Sequence, residues 1–89
     1  MQTEGQLVHD PKLRRYKIVD QPGKEEYHLH GGEKLELFVK GQWIPVRIEI
    51  LGDAQNKASW KFLNERNEPV LLEAGQRTRL ITVTQQNRK

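Results

Sequence analysis

The chain has 89 residues, no cysteine and a formal net charge of +3 at pH 7. This length allows one small domain without a second core, and the lack of cysteine excludes disulfides, thiolate chemistry and cysteine-based zinc sites. The basic excess belongs to residues 75–89, with four basic residues and no acid, whereas residues 1–74 hold eleven basic and twelve acidic residues.

Short alternating segments separated by turn residues predict an all-β domain, and no window sustains helical periodicity. The first strands are predicted over about 5–9 and 14–20, joined by a turn at Asp10-Pro11-Lys12 in which proline presets φ. The loop "QPGKEE" then leads into a short extended segment, "YHLHGG".

The clearest element is a hairpin made by "KLELFVK" and "WIPVRIEI", with its turn at Lys40-Gly41. If those two residues form the turn, residue i pairs with residue 81 − i, and the apolar residues of both strands share one face. A shift of one residue would place the two apolar faces out of step, so the alternation specifies the register. The opposite face then carries Phe38 directly across from Trp43, with Pro45 and Arg47 further along the strand. Pro45 lacks an N–H, which predicts an unpaired edge or a bulge beside it.

A fifth strand is predicted in "ASWKFLNE", with Trp60 and Phe62 on one face, and a sixth follows the Gly75 turn. The prediction is therefore one small barrel of five to six short antiparallel strands over residues 1–84, with a flexible tail over 85–89.

Six short, bent strands resemble an SH3-like barrel. The spacing of glycines, Gly-x-Trp and Arg-Ile-Glu over about residues 14–81 also resembles a family of small bacterial domains of unknown function. That resemblance implies a compact β domain, often encoded on mobile elements, with no catalytic residues to transfer. The matching residues are Leu29, Gly32, Glu33, Leu35, Leu37, Gly41, Trp43, Arg47, Ile48, Glu49, Gly75, Arg79 and Leu80.

Signals for catalysis or metal binding are weak. His28 and His30 would share one face of a strand, with His9 or Glu33 as a third ligand, but two exposed polar residues explain the pattern more simply. Glu36 and Glu49 lie about 13 Å apart along the hairpin, beyond the spacing of paired catalytic carboxylates. We therefore expect no enzyme, no metal and no cofactor.

The leading hypothesis is a non-enzymatic module that binds a protein or peptide. Its predicted surface consists of Phe38, Trp43, Pro45 and Arg47, because a cross-strand aromatic pair beside a proline and an arginine suits an anchor site. The competing prediction is that another part of the chain folds over this face.

The alternative function is an accessory nucleic-acid-binding protein. Its basic residues would merge if the terminal strands are neighbours, and they would contact phosphates without reading sequence. These residues are Lys12, Arg14, Arg15, Lys17, Arg77 and Arg79.

A cytoplasmic location is expected. Residues 1–10 lack the basic and apolar regions of a signal peptide, no apolar run approaches the length of a membrane helix, and small secreted domains usually need disulfides.

Overall fold

A computed structural model describes residues 4–20 and 25–81, so the tail predicted over 85–89 lies outside the described residues. The all-β prediction is confirmed, and no helix in those two ranges has the length and apolar composition to cross a membrane. The described residues form seven strands, rather than five to six, because a short segment that begins at the end of the "QPGKEE" loop pairs with the second strand. The strands are β1 (Glu4–Asp10), β2 (Arg15–Asp20), β3 (Glu26–His28), β4 (Lys34–Val39), β5 (Gln42–Ile50), β6 (Trp60–Leu63) and β7 (Arg77–Leu80).

All seven strands form one open sheet in the order β3-β2-β1-β7-β4-β5-β6, with every neighbouring pair antiparallel. The first and last strands are neighbours, which is the condition under which the basic residues of both were expected to merge. β7 is the central strand, and it joins the meander β1–β3 to the meander β4–β6.

The β4–β5 hairpin has the predicted register, with Leu37 opposite Ile44 and Phe38 opposite Trp43. Lys40 and Gly41 have φ angles of 50° and 80°, the two positive values that a type I′ turn requires. The predicted edge beside Pro45 is also present, since the β5–β6 ladder begins only at Arg47.

The core forms because the sheet curls around its own inner face. Tyr16 on β2 packs against Trp60 and Phe62 on β6, with ring centroids 5.5 and 5.1 Å apart, although five places in the strand order separate these strands. The segment between β3 and β4 bridges the same gap, because Leu29 N–H donates to Tyr16 O at 3.0 Å and Gly32 N–H donates to Ile48 O at 2.8 Å. Side-chain packing and this segment, rather than a closing ladder, enclose the core.

Gly5 lies at a close approach of the backbones of β1 and β2. It pairs with Asp20 on one side and with Thr78 on the other. A Cβ at this position would lie 2.1 Å from the carbonyl oxygen of Val19, so the contact is with backbone that cannot rotate away.

We expect Gly5→Ala to lower the free energy of unfolding by about 1–3 kcal/mol, because the added methyl group forces β1 and β2 apart. Gly31→Ala is the matched control, since its Cβ would first meet the Ile50 side chain at 3.4 Å. Urea denaturation of both variants measures the difference. Equal losses would contradict a special role for the Gly5 contact.

The turn before β4 is held by Glu33. Its carboxylate accepts hydrogen bonds from the Tyr27 hydroxyl at 2.5 Å and from the His30 backbone N–H at 2.6 Å. The hydrogen bond to Glu33, followed by burial and the Glu33 charge, raises the pKa of Tyr27 to about 12.

This raised pKa predicts a specific loss of stability in alkali. A tyrosine with a higher pKa in the folded state than in the unfolded state stabilises the fold fully below about pH 10. That contribution disappears as the pH rises from there through about 12. The free energy of unfolding should therefore fall more steeply over this range in the wild type than in Tyr27→Phe. Parallel pH profiles from denaturant titrations would contradict the assignment.

Candidate functional site

The outer face of the sheet carries the aromatic pair that the sequence predicts. Phe38 and Trp43 lie on opposite strands of the hairpin with ring centroids 5.0 Å apart and planes tilted by 56°. Both are half-buried, although they point away from the core cluster. All seven described strands belong to the one sheet, so no second sheet of described residues covers this pair.

Two arginines from β7 partly cover the rings of Phe38 and Trp43. The Arg79 guanidinium carbon lies 4.1 Å from the Trp43 ring centroid, and that of Arg77 lies 4.8 Å from Phe38 and 5.5 Å from Trp43. These distances are those of cation–π stacking. We call these four residues the platform: Phe38, Trp43, Arg77 and Arg79.

Each platform arginine also has an acidic partner. Arg79 Nε donates to Glu36 Oε1, directly across the β4–β7 ladder. Arg77 Nη2 donates to Glu4 Oε2 on β1 at 3.0 Å. The arginines are therefore held both over the rings and beside carboxylates, which leaves the platform locally balanced in charge.

A buried glutamine aligns β7 with the hairpin. The Gln76 side chain is 3% exposed, and its Nε2 donates to the carbonyl oxygens of Phe38 and Arg77 at 3.0 Å each. Its Oε1 accepts from the Glu73 N–H at 3.2 Å. Gln76 thus fixes Arg77 relative to the Phe38 ring, a role that sequence reasoning missed because nothing in the local pattern marks it.

Pro45 and Arg47, the other members of the predicted surface, lie along β5 from Trp43. Pro45 stands across from Glu36 and so borders the platform. Arg47 is four residues from Trp43 and donates to Glu49 Oε2 at 3.2 Å and to Asn67 Oδ1 at 2.7 Å. The structure thus brings Arg77 and Arg79, rather than Arg47, into contact with the rings.

The residues of the predicted basic surface do not converge. Arg15 donates to the Leu29 carbonyl oxygen at 3.0 Å, and Lys17 pairs with Asp10 at 3.1 Å and Glu26 at 2.8 Å. These two carboxylates raise the pKa of Lys17, with the hydrogen bond to Glu26 contributing most.

Lys12 and Arg14 are exposed in the β1–β2 turn, away from Arg77. Arg77 pairs with Gln6, and four residues of β1, or about 13 Å, separate Gln6 from the start of that turn. The basic residues of the turn and those of β7 therefore form two separate groups.

The histidines also lie apart. His28 Nε2 is 3.6 Å from Glu26, and His30 Nδ1 is 3.6 Å from Glu33. His9 packs edge-on against Tyr16, and burial, followed by Lys57, lowers its pKa. Within the described ranges no three His, Asp or Glu side chains form a group that could hold a metal ion.

The carboxylates considered for catalysis each contact an arginine. Glu36 accepts from Arg79 and Glu49 accepts from Arg47, on different rows of the outer face. Ser59, the only serine of the sequence, is 8% exposed and lies at the end of a 3₁₀ turn.

A comparison with protein families matches residues 5–80 to the family described as "Domain of unknown function (DUF5348)". The chain belongs to this family. The match begins nine residues before the resemblance noted over residues 14–81 and ends one residue before it. No curated protein and no solved structure matched the sequence.

The residues that carried the resemblance include turn glycines, core residues and residues of the outer face. Leu35, Leu37 and Ile48 are fully buried, so core packing accounts for their residue types. Trp43 and Arg79 are different, because they stack on each other across 36 residues of sequence while lying outside the core. In this DUF5348 domain the outer face therefore contains a specific tertiary contact that core packing does not require.

The Trp43–Arg79 contact should be measurable as a coupling free energy. In a double-mutant cycle of Trp43→Leu and Arg79→Met, we expect a coupling of about 1 kcal/mol. The control cycle pairs Trp43→Leu with Arg47→Met, whose sites are about 13 Å apart and should be nearly additive. Chemical denaturation of the single and double variants gives both values. A coupling no larger than that of the control would contradict the stacking.

Proposed function

We propose that this domain is a non-enzymatic interaction module that binds a protein or peptide through the platform and the adjoining Pro45. The observation that carries the proposal is the stacked aromatic pair on the outer face, which packing of the core does not need. Trp and Arg are the residues that most often dominate the binding energy of protein interfaces.

The contacts within the platform support binding because they order it in advance. Cation–π stacking and the ion pairs to Glu4 and Glu36 restrict the rotamers of both arginines. Binding of a partner to these ordered arginines therefore costs less side-chain entropy than binding to mobile arginines would. Pro45 adds a rigid apolar surface next to Trp43.

The balance of charge favours a protein partner over nucleic acid. Phosphate-backbone binding draws on several cations that attract the same strand. Here Arg77, Arg79 and Lys17 have carboxylate partners, and Arg15 donates to a backbone oxygen. The nucleic-acid alternative therefore rests on Lys12 and Arg14, which lie in a different region from the aromatic rings.

Three broader expectations belong to the same proposal. The curled sheet, whose ends meet through Tyr16, Trp60 and Phe62, supports an SH3-like architecture. The cysteine-free composition supports a location in the reducing cytoplasm. The resemblance supports a bacterial host and a gene carried on a mobile element.

The proposal predicts that Trp43→Thr abolishes binding while the domain still folds. The binding assay is selection of random octapeptides displayed on phage against the purified domain, followed by measured affinities for the selected peptides. Threonine suits an outer strand position, so we expect a stability loss of only about 0.5–1.5 kcal/mol and a loss of peptide binding of at least about tenfold.

Leu71→Thr is the matched control, because Leu71 is 87% exposed and is not part of the platform. It should bind the selected peptides as the wild type does. Selection of no peptides by the wild type, or equal binding to Trp43→Thr, would contradict the proposed function. Unfolding of Trp43→Thr would show instead that Trp43 serves the fold.

A further inference from the structure

The edge of β5 that faces away from β4 is only partly paired. Its ladder with β6 begins at Arg47, and β6 ends at Leu63. Asn64 turns the chain back there, because its Oδ1 accepts hydrogen bonds from two backbone N–H groups of the turn at 2.8 and 3.0 Å. Residues 42–46 of β5 therefore extend beyond the end of β6, and no described strand pairs with them on this side. We call this stretch the free edge.

The register of the hairpin identifies the backbone groups on the free edge. The residues that flank a two-residue hairpin turn exchange both of their hydrogen bonds, and so does every second residue of β5 from Gln42. The residues between them direct their backbone groups to the other side of the strand. Leu51 follows this rule, because its N–H donates to Ser59 O at 2.8 Å on the β6 side. The free edge therefore presents Trp43 N–H, Trp43 O and Pro45 O.

The proline fits this arrangement. Pro45 belongs to a pair that exchanges no hydrogen bonds with β4, so its missing N–H weakens only the free edge. A proline on an edge limits pairing with other chains, yet it leaves the N–H of Trp43 and both carbonyl oxygens available. Within the described ranges these three groups have no backbone partner.

Open space lies along the free edge. A cavity of about 220 Å³ lies between it and the turn that follows β6, and a second cavity of about 190 Å³ borders the same proline. Five residues of strand are about 17 Å long, so the free edge can pair with an extended segment of about four to five residues. The described residues that line the first cavity are Ile44, Pro45, Asn64, Glu65, Arg66 and Glu68.

A segment paired with the free edge would also reach the platform. Residues directly across a ladder place their side chains on the same face, so the residue opposite Trp43 would pack on the outer face. Phe38 already occupies the other side of Trp43, and the incoming side chain would extend the same row. The neighbouring residues of the segment would point to the inner face, where the half-buried Ile44 packs against the core.

We infer that the partner of the proposed function is an extended peptide that adds a strand to the free edge of β5, in line with β6. The peptide backbone accepts a hydrogen bond from Trp43 N–H and donates to Trp43 O and Pro45 O, while one apolar side chain packs on the Trp43 ring. The inference rests on the proposed function and specifies how its ligand binds. Main-chain hydrogen bonds contribute affinity in this mode, and alternate side chains contribute selectivity.

A peptide suits the free edge better than a second copy of the domain. Two copies paired about Ile44 would each place Pro45 across from Trp43 of the other copy. Because proline has no N–H, both Trp43 carbonyl oxygens would then lack a donor. A peptide with an N–H at every position satisfies all three groups of the free edge.

The test scans the best peptide from the octapeptide selection with single N-methyl substitutions, each of which removes one N–H and keeps the side chain. Two peptide residues, separated by one other, donate to Trp43 O and Pro45 O, and N-methylation of either should weaken binding at least about tenfold. N-methylation of the residue between them should change the affinity by less than about threefold, because its N–H points away from β5. Fluorescence polarisation of labelled peptides measures each affinity.

The matched change in the domain is Pro45→Val, which adds an N–H to the free edge without altering the hydrogen bonds to β4. Strand addition predicts that the selected peptide binds this variant about two- to tenfold more tightly. Pro69→Val is the control, because Pro69 lies across from Leu63 on the far side of β6, and its affinity should equal that of the wild type. Thermal unfolding checks that both variants fold. No gain in Pro45→Val would overturn the pairing.

Different failures of this test have different meanings. A flat N-methyl scan, in peptides whose binding is lost in Trp43→Thr, would overturn the inference and leave the proposed function intact. Self-association of the wild type that competes with the peptide would assign the free edge to a second copy and also overturn it. Selection of no peptide by the wild type would contradict the proposed function, and the inference would fall with it.

Discussion

The insertion of β7 between β1 and β4 is the constraint on which the rest of the molecule depends. Without this four-residue strand the sheet would divide into two three-stranded meanders. Its centre is Thr78, which is fully buried and whose hydroxyl donates to Glu36 O at 2.8 Å. On the other side Gly5 allows the close approach of β1 and β2. Backbone ladders on both edges of β7 therefore hold the two halves together.

The same strand also builds the candidate site. Successive residues of a strand point to opposite faces, so Thr78 lies in the core while Arg77 and Arg79 stack on the outer aromatic rings. Gln76 links these two functions, because its buried side chain ties the start of β7 to Phe38 O at the end of β4. A change that shifts β7 therefore alters the platform together with the stability of the sheet, and experiments on the site have to separate the two effects.

The parts of the fold that follow from local pattern could be predicted from the sequence. The register of the hairpin is one case, because apolar alternation and the Lys40-Gly41 turn act within the seventeen residues from Lys34 to Ile50. The aromatic pair of the platform was predicted with that register, but its two arginines could not be, because alternation puts Arg77 and Arg79 on one face without saying which strand lies beside them. The ladder that brings Arg79 next to Glu36 joins residues 43 positions apart. β3 was predicted only as part of a short extended segment, because three residues are too few to establish a period.

The distribution of charge over the outer face limits the kinds of partner that can bind there. On the platform each guanidinium is stacked on a ring and paired with a carboxylate, so an approaching anion would have to displace an existing partner. In the next row Arg47 also has a carboxylate partner, since its Nε lies 3.2 Å from Glu49 Oε2. A continuous phosphate backbone would therefore have to displace carboxylates at both places, whereas an apolar side chain can pack on the rings without displacing them. This distribution of charge supports the proposed protein or peptide partner over a polyanion.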